Sequence, residues 1–386
     1  MRILRSIRSV NPAGGGPIEG IKQVAKVLET GGHGTEIVSL DSPDDPWVLD
    51  CPVKVHAMGP VRSGYGYSSR LVPWLREHCA NYDAVIVSGL WQYSGFGVWR
   101  ALRKTETPYF VFPHGMLDPW FKRAYPLKHL KKWAYWPWGD YRVLRDARGV
   151  LFTSEEERRA ARESFWLYRC NEIVVNYGVA GPDGDADSQR QAVLDQFPEL
   201  RGTRVFLFLG RIHEKKGCDL LIRAFAKTAG NIDSARLVIA GPDQAGWTKD
   251  LRALAEGLNL SRKLLWTGML SGDSKWGMLR LAEAFVLPSH QENFGIAVAE
   301  ALACGTPVLI SNKVNIWREI GQDQAGLVDD DDERGTTRLL EKWLGMTPEA
   351  RAAMRGDARR CFESRFEVTR AAAAMVGVIR GTGPQS

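Results

Sequence analysis

Short apolar runs alternate along the chain with longer segments in which apolar residues recur every three or four positions. The runs predict strands buried on both faces, because parallel sheets covered by helices carry apolar side chains on both sides. The longer segments, such as residues 18–30 and 218–228, have helical spacing. This alternation predicts an α/β protein. Its strands fall in two series, at residues 3–7, 36–40, 84–88, 109–112, 149–153 and 172–176, and at 204–209, 236–240, 263–267, 284–288 and 307–311.

The two series are separated by a segment rich in Gly, Asp and Ser, residues 179–191, which predicts an interdomain linker. We therefore expect two Rossmann-like, doubly wound domains that face each other across a cleft, at residues 1–178 and 192–365. The alanine-rich segment 366–386 predicts a helix that packs back on the first domain and ends in a frayed tail, GTGPQS. Ligands of doubly wound sheets bind at the carboxyl ends of the strands, so the loops there are the first candidates for a site.

Composition narrows the class of protein. The 386 residues are 44% hydrophobic and 25% charged, which is usual for a globular enzyme. No apolar run reaches the ~20 residues of a membrane-spanning helix, and the N-terminus lacks the apolar core of a signal peptide. The six cysteines include no CxxC pair, so we expect neither a disulfide framework nor a zinc site and predict a cytoplasmic protein. The net charge of +6 points to an anionic partner: nucleic acid, a membrane surface or a phosphorylated small molecule.

Two loops have the composition of phosphate-binding loops. In NPAGGGPIEG, three glycines precede a predicted helix, so backbone N–H groups could approach a ligand. The dinucleotide fingerprint G-x-G-x-x-G fails there, because its last glycine would fall at Glu19, and a nicotinamide-dependent dehydrogenase is disfavoured. In LGRIHEKKG, Arg211 and Lys216 lie five positions apart and Lys215 adds a third cation. A tight turn and a solvated basic loop are the structural alternatives.

A third stretch, HQENFGIAVAE, carries Glu292 and Glu300 eight positions apart. A helix that starts near Phe294 would separate the two carboxylates by about 12 Å, roughly the reach from a hexose across a diphosphate to a ribose. Its first N–H groups would face the diphosphate. The alternative is that both glutamates are solvated helix residues.

These motifs together resemble a known family. SHQENFGIAVAEALACGTPVLIS, LGRIHEKKG, LVIAGPD and VVNYGV, and more loosely GGGPIEGIKQVAKVLETGGHGTEIVSL and PHGMLDPW, are similar to the retaining family 4 glycosyltransferases of the GT-B fold. The resemblance implies transfer of a hexose from a UDP- or GDP-sugar to a glycan or lipid-linked acceptor, in cell-surface polysaccharide synthesis. It implies retention of configuration by front-face displacement, without a metal or another cofactor.

The resemblance also implies roles for residues. Arg211 and Lys216 would clamp the donor diphosphate and stabilise the leaving group, Glu300 would hold the ribose, and Glu292 would contact the transferred sugar. His114 would lie near the reacting sugar. Many members have Asp after this histidine, whereas this chain has Gly, with Asp118 four residues on, so an acid/base role of His114 stays open. Backbone groups would come from Gly14, Gly15, Gly16, Asn293, Phe294 and Gly295.

Residues 118–145 combine cations with indole rings, a composition that suits an anionic membrane interface or a phosphate-bearing lipid acceptor. The alternative is a set of interior tryptophans beside a basic exposed face. Single-stranded nucleic acid would also suit the composition, but no other motif here resembles a nucleic-acid-binding one. The residues singled out for acceptor or membrane contact are Trp120, Lys122, Arg123, Lys131, Lys132 and Trp136.

The acidic run VDDDDER, residues 328–334, invites a metal site, but its position before a helical segment favours a turn that caps the helix. Two further functions stay open. A GT-B sugar-nucleotide epimerase or hydrolase would use the same donor site without an acceptor. A non-catalytic sugar- or membrane-binding protein would keep the fold but lose the cationic clamp, and the presence of Arg211, Lys216 and Glu300 opposes it.

Overall fold

The computed structural model describes residues 1–382, which form two compact units. The first consists of Met1–Gly178 together with the segment that begins at Val368. The second consists of Val179–Glu367. The elements of the first unit up to Gly178 are β1 (Arg2–Ser6), α1 (Gly16–Thr30), β2 (Gly34–Ser39), α2 (Pro46–Leu49), β3 (Val55–Ala57), α3 (Leu71–His78), β4 (Ala84–Ser88), α4 (Tyr93–Leu102), β5 (Tyr109–Phe112), α5 (Trp120–Ala124), α6 (Pro126–Tyr135), α7 (Asp140–Arg145), β6 (Gly149–Phe152), α8 (Glu155–Arg162) and β7 (Glu172–Val174).

The second unit contains α9 (Ala186–Gln196), β8 (Arg204–Leu209), α10 (Cys218–Thr228), β9 (Ala235–Ala240), α11 (Thr248–Gly257), β10 (Leu264–Gly268), α12 (Gly272–Leu281), β11 (Ala284–Leu287), α13 (Ile296–Ala303), β12 (Val308–Ser311), α14 (Trp317–Gln322), β13 (Gly326–Asp329), α15 (Glu333–Gly345) and α16 (Pro348–Cys361). A π-helical turn, Phe362–Phe366, ends this unit. The chain then returns to the first unit as α17 (Val368–Arg380).

Both sheets are parallel and doubly wound. The first has the order β3-β2-β1-β4-β5-β6-β7 and the second the order β10-β9-β8-β11-β12-β13. In the first unit, Ile3 and Ile86 pack with α1 and α17 on one face of the sheet, whereas Leu4 and Val85 pack with α3 and α4 on the other. The strands are therefore apolar on both faces, and the predicted α/β class with two such sheets is confirmed.

The order of the strands fixes where a site can form. In the first sheet the chain reverses its direction of travel between β1 and β4, and in the second between β8 and β11. The loops that leave such a pair of strands turn away to opposite sides and leave a crevice at their carboxyl ends. In the first sheet they are the loop with Gly14–Gly16 and the loop at residues 89–92, and in the second they are the loop with Arg211 and Lys216 and the loop with Glu292.

The structure corrects two predictions about organisation. The segment predicted as a linker, residues 179–191, belongs to the second unit, and α9 begins inside it at Ala186, where Asp185 accepts a hydrogen bond from Ser188 N. Two edge strands, β3 and β13, were missed because each is short and only partly buried. The predicted tail lies mostly outside the described residues, at 383–386.

Helix α9 packs closely on α12. A Cβ atom placed on Gly277 would lie 2.1 Å from the carbonyl oxygen of Gln189, so the two helices touch through their backbones. The Gln189 side chain, which is buried, donates to Asp273 (2.9 Å) and accepts from Arg280 Nε (2.9 Å), both on α12. Helix α9, whose first residues had been predicted as a linker, therefore holds α12 in place.

Gly277→Ala should destabilise the second unit by about 1–3 kcal/mol, because the added methyl group would force the two helices apart. Gly321→Ala on α14 is the matched control. Nothing lies within 4 Å of its Cβ position, so it should leave stability unchanged or raise it by about 0.5–1 kcal/mol. Urea unfolding followed by tryptophan fluorescence measures both, and equal stability of the two variants would contradict the packing.

Candidate functional site

The loops that follow β8 and β11 are joined by a close backbone contact. Gly217 has φ +68°, and a Cβ atom there would lie 2.3 Å from the Pro288 carbonyl oxygen, so both its conformation and its space require glycine. The carbonyl of Lys215 accepts hydrogen bonds from His290 N (2.8 Å) and Ser289 Oγ (2.9 Å). The two motifs that the sequence separates by about 75 positions are thereby fixed to each other.

This contact brings Lys216 to Glu292. The Lys216 ammonium forms an ion pair with Glu292 Oε2, and their side chains are only 14% and 20% exposed. Burial, followed by the charges of Lys215 and Arg211, lowers the pKa of Lys216 to about 7. The pair is a partly desolvated cation and anion at the mouth of the crevice. An anionic ligand would add a second counter-charge to Lys216.

Arg211 lies in the same loop and is exposed. Its Nη1 contacts Gln244 Oε1 at 3.3 Å, which leaves most of its guanidinium donors open to solvent. The loop is tied to the one after β9, because Gly241 packs with its Cα against the Gly210 carbonyl, and a Cβ there would lie 1.8 Å from that oxygen. Ile212 N donates to Pro242 O at 2.9 Å. The loops after β8, β9 and β11 therefore form one connected rim.

Helix α13 begins later than predicted. Its N-cap is Gly295, with φ +76°, and its first residue is Ile296, so Asn293 and Phe294 precede the helix. The estimate of 12 Å between the glutamates assumed a continuous helix and does not apply, because the backbone turns at Gly295. Gly295 provides no side-chain cap, so the first N–H groups of α13 lack a partner within the helix. Asn293 Oδ1 accepts from Asn315 at 3.4 Å, and Phe294 is buried against Phe366.

Glu300 is not a solvated helix residue. It is 7% exposed, and its Oε1 accepts a hydrogen bond from Lys275 Nζ of α12 at 2.7 Å. The Lys275 ammonium also lies 4.2 Å from the centre of the Trp276 ring. No sequence pattern pointed to Lys275, because it is 25 positions away from Glu300 and on another helix.

The acidic run has two functions in the structure. Asp332 is the N-cap of α15 and accepts from Gly335 N at 2.6 Å, which confirms the predicted cap. Asp331 Oδ2 lies 2.9 Å from His290 Nδ1, which is hydrogen-bonding distance. The run therefore also contacts the Glu292 loop. Within residues 1–382 no group of three or more His, Cys, Asp or Glu side chains is placed to hold a metal ion. Use of the donor without a metal stays a prediction.

In the first unit the glycine loop forms a short 3-10 turn, Pro12–Gly14, followed by α1. Gly15 is the N-cap of α1 with φ +77°, and Gly16 is its first residue. Open space surrounds the Cβ positions of Gly14 and Gly15, so the backbone is accessible to a ligand. The Gly16 carbonyl is already used, because Tyr177 Oη donates to it at 3.1 Å.

His114 follows β5 with φ +51°, a backbone conformation that few residues other than glycine adopt. Its ring stacks on Phe112 at 5.4 Å between centres, and its Nε2 is buried without a hydrogen-bond partner in the described structure. Burial and the charge of Arg5 lower the pKa of His114 to about 3. The imidazole is therefore neutral near pH 7. It could exchange a hydrogen bond with a hydroxyl group but is a poor general acid.

Arg5 itself is a buried cation on the central strand. Its nearest polar contacts are Ser88 Oγ and Met375 Sδ, both at 3.4 Å, and burial lowers its pKa to about 10. The turn after His114 is fixed independently, since Gly115 N donates to the buried Glu157 carboxylate at 2.6 Å. No sequence pattern pointed to Arg5 or Glu157.

The basic aromatic segment forms α5, α6 and α7, and its tryptophans differ in how far they are buried. Trp136 is fully buried, stacks on Phe165 at 4.3 Å and donates from Nε1 to the Leu167 carbonyl at 2.5 Å. Its predicted acceptor or membrane contact is wrong, because this face of α6 packs into the core. Lys132 is half-buried, with its ammonium 4.6 Å from the centre of the Trp91 ring. Trp120 is half-buried, whereas Lys122, Arg123 and Lys131 are exposed.

Across residues 1–382 no helix has the length and apolar character needed to cross a membrane.

His114→Asn tests the neutral state of the imidazole, since Asn tolerates a positive φ. The unfolded chain takes up a proton on His114 below pH ~6.5, whereas the folded chain does so only near pH 3, so acid selectively stabilises the unfolded wild type. The free energy of unfolding of the wild type relative to the variant should fall between pH 6.5 and pH 3, by at most about 1.4 kcal/mol per pH unit. Denaturant titrations at several pH values measure it, and a difference independent of pH would contradict the shift.

Comparison with known proteins agrees with these two units. The Anabaena protein HepE, solved with UDP-glucose, superposes with a TM-score of 0.76 at 15% identity and covers 99% of this chain and 100% of its own. Sucrose-phosphate synthase of Thermosynechococcus elongatus gives 0.77 at 18% identity and covers 98% of both chains. At these identities the likeness concerns the fold.

An uncharacterized glycosyltransferase of Methanocaldococcus jannaschii is 34% identical over 146 residues, which are 36% of this chain and 36% of that protein. The chain spans between 30% and 52% of the length of the first curated relatives that it matches. Residues 15–178 match the family model described as "Glycosyl transferase 4-like domain", and residues 190–360 match the one described as "Glycosyl transferases group 1". Both units are thus accounted for, and the chain belongs to the group 1, family 4-like glycosyltransferases of the GT-B fold.

Proposed function

We propose that the protein is a retaining glycosyltransferase that moves a hexose from a nucleoside diphosphate sugar to a glycan or lipid-linked acceptor, in cell-surface polysaccharide synthesis. The observation that carries the proposal is the ion pair of Lys216 with Glu292 beside the open guanidinium of Arg211, at the point where the second sheet reverses. Family membership supports the reaction class, and the resemblance of the motifs supports retention.

The charges of the site suit the central diphosphate of such a donor and the sugar and ribose at its two ends. Arg211 and Lys216 are cations that could bind the diphosphate and stabilise the charge that grows on it as the glycosidic bond breaks. Glu292 and Glu300 are acceptors that suit hydroxyl groups and repel phosphate. In this arrangement Glu292 would contact the transferred sugar and Glu300 the ribose, with the first N–H groups of α13 near the phosphates.

A UDP-sugar is the first donor to test. Among the similar structures, HepE was solved with UDP-glucose, and an E. coli trehalose-6-phosphate protein was solved with UDP-2-fluoro glucose. GDP-sugars suit the same cationic clamp, because the clamp contacts only the diphosphate. We propose that neutral His114 of the first unit offers a hydrogen bond to a sugar hydroxyl, and that Gly14 and Gly15 give a ligand access to the backbone. A donor-hydrolysing or epimerising enzyme would bind the same nucleotides but consume the donor without any acceptor.

Arg211→Ala should weaken binding of UDP or GDP by about tenfold or more, since one charge-assisted contact to the diphosphate is lost. Arg223→Ala on α10, an exposed arginine of the same unit, removes the same charge and should bind like the wild type. Calorimetric titration with UDP, GDP and ADP measures the affinities. Equal affinity of the Arg211 variant and the wild type would remove Arg211 from the clamp.

We further propose that the exposed face of α5 and α6 contacts an anionic membrane surface and so brings the enzyme to a lipid-linked acceptor. On α6, Leu127 and Leu130 are 83% and 62% exposed, although both are apolar. Trp133 of the same helix and the nearby Trp166 are also exposed and have their ring centres 6.2 Å apart. Such a group of large apolar side chains is uncommon on a solvent-exposed surface.

Cations surround these apolar side chains. Four exposed basic residues on α5 and α6 form no ion pair with another described residue: Lys122, Arg123, Lys128 and Lys131. Their charge is therefore available to anionic headgroups, while leucine and tryptophan side chains could enter the interface. The buried Trp136 and the half-buried Lys132 anchor α6 from its other face, so the exposed face is held in place.

The variant Leu127→Ser/Leu130→Ser should reduce co-sedimentation with vesicles that contain phosphatidylglycerol, because it removes the most exposed apolar side chains of α6. Leu49→Ser, at another exposed leucine, is the control and should bind like the wild type. Binding of the wild type should fall as salt is raised. Absence of wild-type binding to anionic vesicles, or equal loss in the control, would reject the membrane contact.

A further inference from the structure

Glu300 is a buried carboxylate whose charge is balanced by a single lysine. Transfer of an ionised carboxylate from water to a protein interior is costly unless it is paired and hydrogen-bonded. Lys275 provides both, because its Nζ donates to Glu300 Oε1 at 2.7 Å. The other oxygen, Oε2, has no hydrogen-bond partner elsewhere in the described structure. One oxygen is thus used to fix the carboxylate, and the other is left for a ligand.

Lys275 is held on more than one side. Its ammonium lies 4.2 Å from the centre of the Trp276 ring, a cation–π contact that favours this rotamer. Its helix, α12, is fixed by the backbone contact of Gly277 with α9 and by the buried Gln189. The side chain therefore reaches Glu300 from a rigid support, and the direction of the carboxylate depends on it.

We propose that Lys275 is a positioning residue that orients Glu300 so that Oε2 accepts hydrogen bonds from the ribose hydroxyls of a nucleoside diphosphate. The inference rests on the proposed donor binding and assigns the recognition of ribose to a pair of residues. A ribose presents two neighbouring O–H donors, which suit a carboxylate oxygen. The phosphates would bind at Arg211 and Lys216, which lie in the loop after β8, whereas Glu300 lies on α13.

The arrangement predicts selectivity for ribose, for a physical reason. A buried acceptor with a fixed direction rejects a ligand that lacks the matching hydroxyls, because its oxygen stays unsatisfied. Without Lys275 the carboxylate would lose its counter-charge and its fixed rotamer, and this discrimination would weaken even if the fold were unchanged.

The experiment compares UDP with 2′,3′-dideoxy-UDP by calorimetry, and uses GDP and its dideoxy counterpart if only GDP binds. We expect the wild type to prefer the ribose nucleotide and Glu300→Gln to lose that preference. Lys275→Met keeps the length of the side chain and removes the charge, and should lower the ratio of the two affinities by about tenfold. Lys275→Arg should restore most of the ratio.

Lys227→Met is the matched control. It breaks an ion pair of the same kind, with Glu333, on an exposed surface of the same unit, and it should leave the ratio unchanged. Trp276→Leu, which keeps the lysine but removes the ring beneath it, should lower the ratio partly and serves if Lys275→Met does not fold. A coupling between Lys275→Met and Glu300→Gln in a double-mutant cycle would support action through Glu300.

The outcomes separate the two proposals. If the wild type binds no nucleoside diphosphate, the proposed function fails and the inference fails with it. If the wild type binds and prefers ribose, and Glu300→Gln loses the preference while Lys275→Met keeps it, the inference alone is overturned. A wild type that binds both nucleotides equally also overturns the inference and leaves the cationic clamp intact.

Discussion

The candidate site of the second unit depends on the close approach of two loops, at Gly217 and Pro288. A parallel sheet that reverses its order between β8 and β11 brings these loops to neighbouring positions, but contact requires a residue without a side chain and with a left-handed backbone. Gly217 meets both conditions. Once the loops touch, the Lys215 carbonyl is satisfied by His290 and Ser289, and Lys216 lies against Glu292.

The two glutamates of the site are each paired with a lysine from another part of the chain. Glu292 pairs with Lys216 of the loop after β8, and Glu300 pairs with Lys275 of α12. Burial of a carboxylate is costly without such a partner, and the pairing also sets its direction. The pairs differ in what they leave open: Arg211 adds cationic donors beside Lys216, whereas Glu300 keeps one unsatisfied acceptor oxygen. A ligand with an anionic centre and a hydroxyl-bearing end matches both.

In the first unit, two neighbouring buried groups are a cation without a nearby carboxylate and a neutral imidazole. Arg5 has no carboxylate partner within contact distance in the described structure, and its charge helps to keep His114 neutral. The left-handed backbone at His114 is held by the hydrogen bond of Gly115 to Glu157. On the outside of the same unit, α6 is anchored by Trp136 and presents leucines and lysines to solvent. One amphipathic helix thus contributes to the core with one face and to a candidate interface with the other.

The α/β class and most of the central strands could be predicted from the sequence, and so could the choice of candidate site residues, whose roles stay predictions. Buried parallel strands give continuous apolar runs, and Arg211, Lys216, Glu292 and Glu300 lie in local motifs. Residues 179–191 were predicted as a linker, although α9 begins inside them, because polarity alone does not distinguish a loop from the start of a surface helix. The edge strands β3 and β13 are only partly buried and therefore gave no continuous apolar run.

Tertiary structure decided which side chains meet. The pairing of Lys275 with Glu300, the contact of Asp331 with His290 and the burial of Trp136 join residues that no local period relates. The start of α13 was also set by a backbone turn at Gly295 rather than by the hydrophobic pattern. Local sequence determines where strands and loops begin, because it fixes periodicity and allowed backbone angles. Charge compensation and burial depend on distances through space, which only the folded chain determines.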